Sequence, residues 1–198
     1  LHPVVAVRRD EDGGLTAVLP ATSEGERRES FIYLEVERAD ARERRALLDD
    51  LTANLAHTRA AVSDWAPLQT AMREDADRLP DGEGAALLRW FLDRNLTLLA
   101  HERRDRDNQA TEALGISRVD GEPLLARSTI ERAFAWFEEG GEAPLLVKSN
   151  RVSTVHRQVP LDVIIVPQRE NGKIAHLSLH AGLWTSSALN AAPEKVPV

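Results

Sequence analysis

LDVIIVPQRENGKIAHLSLH, residues 161–180, sets two apolar runs on either side of an Asn-Gly pair, and its reading decides the fold class. Asn171-Gly172 is a two-residue hairpin signal, because both turn positions need φ above zero and these two residue types tolerate it best. The flanking runs are therefore antiparallel strands, expected over 159–167 and 173–183. A further strand is expected at 144–149. Before it, Ser128 and Glu131 have the spacing of a capping box, Ile130, Phe134 and Phe137 form the buried stripe of a helix, and Gly140-Gly141 ends it. Further upstream lie a helix over 83–95 with Leu87, Leu88 and Phe91 on one face, a strand over 96–103 and a short strand through LGISRV. Helices on one face of antiparallel sheets define an α+β fold.

The chain before residue 80 has a different rhythm. HPVVAVRR and LTAVLP flank an Asp/Gly-rich turn at 10–14, and in SFIYLEVER the residues Ile32, Leu34 and Val36 alternate with Tyr33, Glu35 and Glu37, the period of a half-covered strand. From Ala41 the period lengthens. Leu48, Leu51, Leu55, Thr58, Val62 and Trp65 recur every three or four residues, as on one stripe of a helix. Pro67 breaks that helix and suits the first turn of a second one, which carries Leu68, Met72, Ala76 and Leu79. LPDGEG at 79–84 then reads as a linker. The expected organisation is a strand unit at 1–39, a helical spacer at 40–80 packed on it, and a second α+β unit at 81–198.

Composition narrows the function classes. With 42% hydrophobic and 29% charged residues, 198 residues suffice for one or two domains with real cores. The absence of cysteine removes disulfides, thiolate catalysis and cysteine zinc sites, and fits a reducing compartment. A net charge of -7 argues against sequence-independent nucleic-acid binding. No apolar run reaches the roughly 20 residues of a membrane span, and no signal-peptide pattern opens the chain. A cytoplasmic setting is expected, with neither nucleic acid nor membrane as partner. The start at Leu1, directly before a strand pattern, reads as a piece of a longer chain.

Against that acidic background, KSNRVSTVHR at 148–157 stands out, because no acidic residue occurs from Ala143 to Leu161. A local positive field in an acidic protein points to an anion held nearby, or to acidic helices elsewhere in the protein. In an extended run, Lys148, Asn150, Val152, Thr154 and His156 share one face while Ser149, Arg151, Ser153, Val155 and Arg157 share the other. Arg151 and Arg157 suit planar oxyanions, Lys148 adds a point charge, and Asn150, Ser153 and Thr154 add neutral polar groups. His156 would make such a site sensitive to pH. The effector-binding candidates are thus Lys148, Asn150, Arg151, Ser153, Thr154, His156 and Arg157, and Trp136 and Phe137 are candidates for an adjacent wall.

Other chemistries fit less well. Gly82 and Gly84 have the spacing of the first two glycines of a dinucleotide loop, but Leu87 occupies the third position and Pro80 precedes them. His176 and His180 share a strand face near His101 and Glu102, which makes them weak metal candidates without a fixed third ligand. Ser153 or Thr154 with His156 lacks the strained turn that presents a nucleophile. No catalytic residue and no metal are expected.

The strand and helix order after residue 80 resembles a PAS-type sensor fold or a second ACT-like unit, and the first unit resembles part of an ACT-type regulatory domain. A wider resemblance is carried by HPVVAVRRDEDGGL, ESFIYLEVER, AAVSDW, ALLRWFLDRNLTLLAHE, LLVKSNRVSTVHRQVPLDVIIVP and GLWTSSAL followed by PEKVPV. In order and spacing these blocks resemble the N-terminal region of the large bacterial NAD-dependent glutamate dehydrogenases. The resemblance implies ACT-like and PAS-like units with helical spacers in a non-catalytic regulatory or assembly segment. The parent chain would oxidise L-glutamate to 2-oxoglutarate and ammonia with NAD, using a downstream catalytic domain, and no cofactor would bind in this segment. It also implies a homo-oligomer and an amino-acid or other small anionic effector. LTLLAHER at 96–103 departs from the family's FTFLGYRE, and HLSLHAGLWTS at 176–186 replaces a more aromatic run, so any pocket there is reshaped.

Overall fold

The computed structural model describes residues 3–20, 27–190 and 195–197 and has a mixed α+β architecture with two antiparallel sheets. His2 and part of the closing PEKVPV block lie outside the described residues. The chain forms two compact units, Leu1–Arg45 and Ala46–Val198.

In the first unit, β1 (Val4–Arg9), β2 (Leu15–Leu19) and β3 (Arg27–Ser30) form a sheet of order β2-β1-β3. The expected turn joins β1 to β2: Gly13 has φ 81° and the Gly14 N–H donates to the Asp10 carboxylate at 2.6 Å. SFIYLEVER departs from its expectation. β3 ends at Ser30, paired with Val4, and Phe31 donates one last hydrogen bond to Pro3 O. Proline has no N–H to return, so the ladder stops there, and Ile32, Tyr33, Leu34 and Val36 stay exposed outside any strand.

α1 (Ala41–Ser63) begins in the first unit and continues into the second. It is followed by α2 (Trp65–Arg78), α3 (Glu83–Trp90) and a π-type turn at Phe91–Asn95. Arg94 at φ 60° closes that turn and sends the chain into β4 (Leu96–Arg104). β5 (Ala110–Gly115), α4 (Ser117–Asp120), α5 (Arg127–Glu138), β6 (Leu145–Val152), β7 (Pro160–Glu170), β8 (Lys173–Trp184) and α6 (Ser186–Leu189) complete the unit. The five strands run β5-β4-β8-β7-β6, all pairs antiparallel.

The hairpin at 171–172 forms as expected, with Asn171 at φ 51°, Gly172 at φ 78° and Glu170 paired to Lys173. LGISRV does not form the expected strand. β5 ends at Gly115, which takes φ 64° and passes so close to Leu99 that any Cβ would collide with the Leu99 carbonyl; a helical turn follows. The capping box is also absent. α5 starts after Ala126 without a side-chain cap, and Glu131 accepts from Arg127 instead.

Strand alternation sends the two sides of this sheet into two cores. Leu161, Val163 and Ile165 of β7 and Leu177, Leu179 and Leu183 of β8 pack with Ile130, Phe134 and Phe137 of α5. Ile164 and Val166 turn the other way and pack with Leu68, Met72 and Ala76 of α2 and with Leu88 and Phe91. Each of the larger of these side chains contributes about 1.5–3 kcal/mol on burial. Both faces are thus covered, where helices on one face were expected, and near-continuous apolar runs such as 161–166 are what two-sided burial requires. The same packing places α2 in the unit starting at Ala46.

α1 breaks at Asp64, ahead of Pro67, and the Asp64 carboxylate accepts from Gly115 N at 2.8 Å and from Arg118 Nε at 2.5 Å. Of α1, His57, Ala60 and Ala61 are buried, whereas the periodic Leu48, Leu51, Leu55 and Val62 are exposed.

Candidate functional site

The basic run is extended only to Val152; from Ser153 it turns, and His156 takes φ 71°. The alternation expected through residue 157 therefore ends at the strand end. Most of the candidate side chains are held by partners within the chain. Lys148 Nζ lies 2.7 Å from Asp162 Oδ1, directly across the β6–β7 ladder. Arg151 donates to Glu122 O at 2.9 Å and to Asp120. The same Asp120 oxygen lies 2.9 Å from His57 Nε2, while His57 Nδ1 meets Thr154 Oγ1 at 2.7 Å. Arg151, Asp120, His57 and Thr154 thus tie β6 and its following turn to α1 and α4. Ser153 bonds within its own turn, its hydroxyl donating to Val155 O at 2.7 Å. Asn150 is exposed.

Arg151 has a side chain only 9% exposed, and charge-assisted hydrogen bonds contribute about 1.5–3 kcal/mol each. Arg151→Ala is therefore expected to lower unfolding stability by about 2 kcal/mol, read as a lower urea midpoint at unchanged slope.

His156 and Arg157 differ from the rest of the run. They line a cleft of about 270 Å³ with Thr97, Leu183, Trp184, Thr185 and Ser186. Arg157 donates to Trp184 O at 2.6 Å, which holds the guanidinium at the cleft. Trp136 and Phe137 are in edge contact with each other and line neither of the charged clefts; Phe137 is buried against the sheet.

A second constellation was not anticipated. Asp75, on the buried stripe of α2, is fully enclosed. Its Oδ2 lies 2.7 Å from His180 Nε2, and its Oδ1 accepts from Gln168 Nε2 at 2.6 Å and from Arg78 Nη1 at 3.0 Å. His180 stacks on His101 with ring centroids 4.7 Å apart, and Ser178 lies 3.4 Å from His180 Nε2. Burial pushes the Asp75 carboxyl upward, but His180, with Ser178 and His101 in support, pulls it below the ordinary carboxylate value. Both nitrogens of His101 and Nδ1 of His180 lack hydrogen-bond partners. Burial, with His180 alongside, pushes the His101 pKa down to about 3, despite the opposing charge of Asp75. His101 is thus a neutral, buried ring.

His180 is therefore engaged by a carboxylate, and His176 sits half-buried four residues before it with its pKa lowered by burial and by Arg103. Among the described residues no group of three or more histidine, aspartate or glutamate side chains is gathered as a metal-ligand set. The Asp75–Gln168 pair instead floors a cleft of about 660 Å³. Arg78, Leu79 and Pro80 wall it on one side, Val166, Pro167 and Arg169 on another, and Gly140 and Glu142 on the third. The signal for this site was present in the sequence: an aspartate in phase with Leu68, Met72, Ala76 and Leu79 is a charge on an apolar stripe.

With an α+β fold and these clefts in place, comparison with known proteins adds one family. Residues 1–51 match the model of the glutamate dehydrogenase ACT1 domain, which supports an ACT-type regulatory region of a glutamate dehydrogenase at the start of the chain. No curated protein matches. Among solved structures, the sensor domain of the zinc-responsive histidine kinase CzcS from Pseudomonas aeruginosa aligns at 16% identity over 74% of this chain and 98% of that chain. The TM-score of 0.27 is too low to define a common fold. No helix among the described residues is long and apolar enough to cross a membrane.

Proposed function

We propose that the chain is a non-catalytic regulatory segment of an NAD-dependent glutamate dehydrogenase. It senses a small anionic effector, an amino acid foremost, and acts on a downstream catalytic domain of the same chain in a cytoplasmic homo-oligomer. NAD belongs to that catalytic domain. The match of residues 1–51 to the ACT1 domain of glutamate dehydrogenase carries this reading. The clefts beside Arg157 and over Asp75 support the sensing part, since both are lined by arginine side chains. The PAS-like reading of the second unit draws support from the chain order of two strands, helices and three strands. A thermal-shift screen of the 198-residue chain against the common L-amino acids and 2-oxoglutarate tests the reading, because a ligand bound only by the folded state raises apparent stability. A shift with one of them is the expected result; no shift with any removes the sensing role.

A packing role between subunits is favoured by one observation: Leu47, Leu48, Leu51, Leu55 and Val62 of α1 are all exposed. An exposed apolar row of this kind marks an interaction surface. Light scattering separates the readings. A stable dimer dissociated by Leu51→Asp supports packing, and a monomer at high concentration rules it out.

A further inference from the structure

We propose that the cleft over Asp75 is the effector site and that it takes an α-amino acid as a zwitterion. This deepens the sensing reading above and rests on it. Two guanidinium groups line the cleft, each fixed by partners in the protein. Arg78 is held by Asp75 at 3.0 Å and by Glu74 at 3.1 Å. Arg169 Nη2 donates to Phe137 O at 3.0 Å and Gly141 O at 3.4 Å. A guanidinium has five N–H donors, and among the described residues Arg78 Nε and both Arg169 Nε and Nη1 form no hydrogen bond. A carboxylate therefore finds charged donors already oriented by other bonds, so little side-chain freedom is lost on binding.

The cleft also carries the opposite charge. Glu142 lines it, is exposed, and makes no ion pair among the described residues, so it is available to an ammonium group. Asp75 does not compete for that role, because both of its oxygens are engaged by His180, Gln168 and Arg78. Leu79, Pro80, Val166 and Pro167 supply apolar surface for a side chain. A plain anion site needs no glutamate at its wall, whereas a zwitterion uses both signs. The cleft lies on the α2 face of the sheet, and its floor runs through Asp75 and His180 into the core. Occupancy would thus bear directly on how α2 seats against the sheet.

The test is isothermal titration of the 198-residue chain with the L-amino acid giving the largest thermal shift, with the 2-oxo acid of the same side chain, and with inorganic phosphate. The chains compared are the unmodified one, Arg169→Ala, Glu142→Gln and, as a control away from the cleft, Arg157→Ala. The first two substitutions fall on exposed residues, and melting curves verify that each variant is folded. The expected result is that Arg169→Ala weakens the amino acid about tenfold or more, that Glu142→Gln weakens the amino acid but not the 2-oxo acid, and that Arg157→Ala changes neither. Binding lost in Arg157→Ala and kept in the other two overturns the site while leaving the sensing role standing. A 2-oxo acid or phosphate that binds as tightly as the amino acid overturns the zwitterion. Absence of binding by any compound overturns the site and the sensing role together.

Discussion

Asp75→Ala is expected to lower stability by about 3–5 kcal/mol, at about 1–3 kcal/mol for each buried group left without its partner. Loss of the carboxylate strips the acceptor from Gln168 Nε2 and Arg78 Nη1 and the partner from His180 Nε2, and two of those three groups are buried. In a chain of this length each kcal/mol moves the melting temperature by about 2–4 °C, so a fall of roughly 10 °C is expected at pH 7. Asp75→Asn keeps the shape and one carbonyl acceptor, and should lose about half as much. The pH arm has a definite sign. The Asp75 pKa is lowered in the folded state, so its contribution is complete above the unfolded value of about 3.9 and disappears as pH falls through the lower folded value. Calorimetry at pH 7 decides the matter. A melting temperature within 2 °C of the unmodified chain would mean that α2 is held by Leu68, Met72 and Ala76 alone.

The contrast between α1 and α2 shows what was legible in the sequence and why the rest was not. Periodicity located both helices, and on α2 the residues Leu68, Met72 and Ala76 are all buried as expected. On α1 the same kind of stripe is exposed, and the smaller Ala60 and Ala61 face the core. A hydrophobic stripe states that a surface prefers burial; it does not state which partner is within reach. SFIYLEVER makes the same point for a strand, since its alternation is sound but its neighbour β1 begins only at Val4, with Pro3 before it. The hairpin at Asn171-Gly172 was fully legible because its determinant is local, two backbone angles within two residues. The site was less so. Lys148 and Arg151 read as free cations because their partners, Asp162 and Asp120, are 14 and 31 positions away in sequence and adjacent only after folding. Their positive run is better understood as one half of two ion pairs. Asp75 was legible in principle and overlooked, because a single acid within an apolar stripe means little until His180 and Gln168 are seen to meet it.

His101→Leu should make the protein less sensitive to acid. The folded state holds the His101 pKa near 3, against about 6.5 in the unfolded chain. Between those values the unfolded state binds a proton that the folded state refuses, so stability is complete above pH 6.5 and falls by about 1.4 kcal/mol for each unit below it. At pH 4.5 the deficit is roughly 2.7 kcal/mol. Leucine removes that proton linkage, and it also removes two ring nitrogens buried without hydrogen-bond partners, each of which costs about 1–3 kcal/mol. The ring's neighbours do not reverse the sign. His180 and Arg103 oppose a positive charge at His101, and Asp75, already engaged by His180, and the Leu179 backbone only partly offset burial and these charges. His176, whose pKa is also lowered, remains in the variant and leaves a shallower slope in the same direction. Urea titrations of both chains at pH 7.5, 6.0 and 4.5 are expected to diverge as pH falls, with the leucine variant the more stable at the lowest value. Curves that stay parallel across that range would mean that His101 accepts a proton in the folded state, and hence that water or a shifted partner reaches the stacked pair in solution.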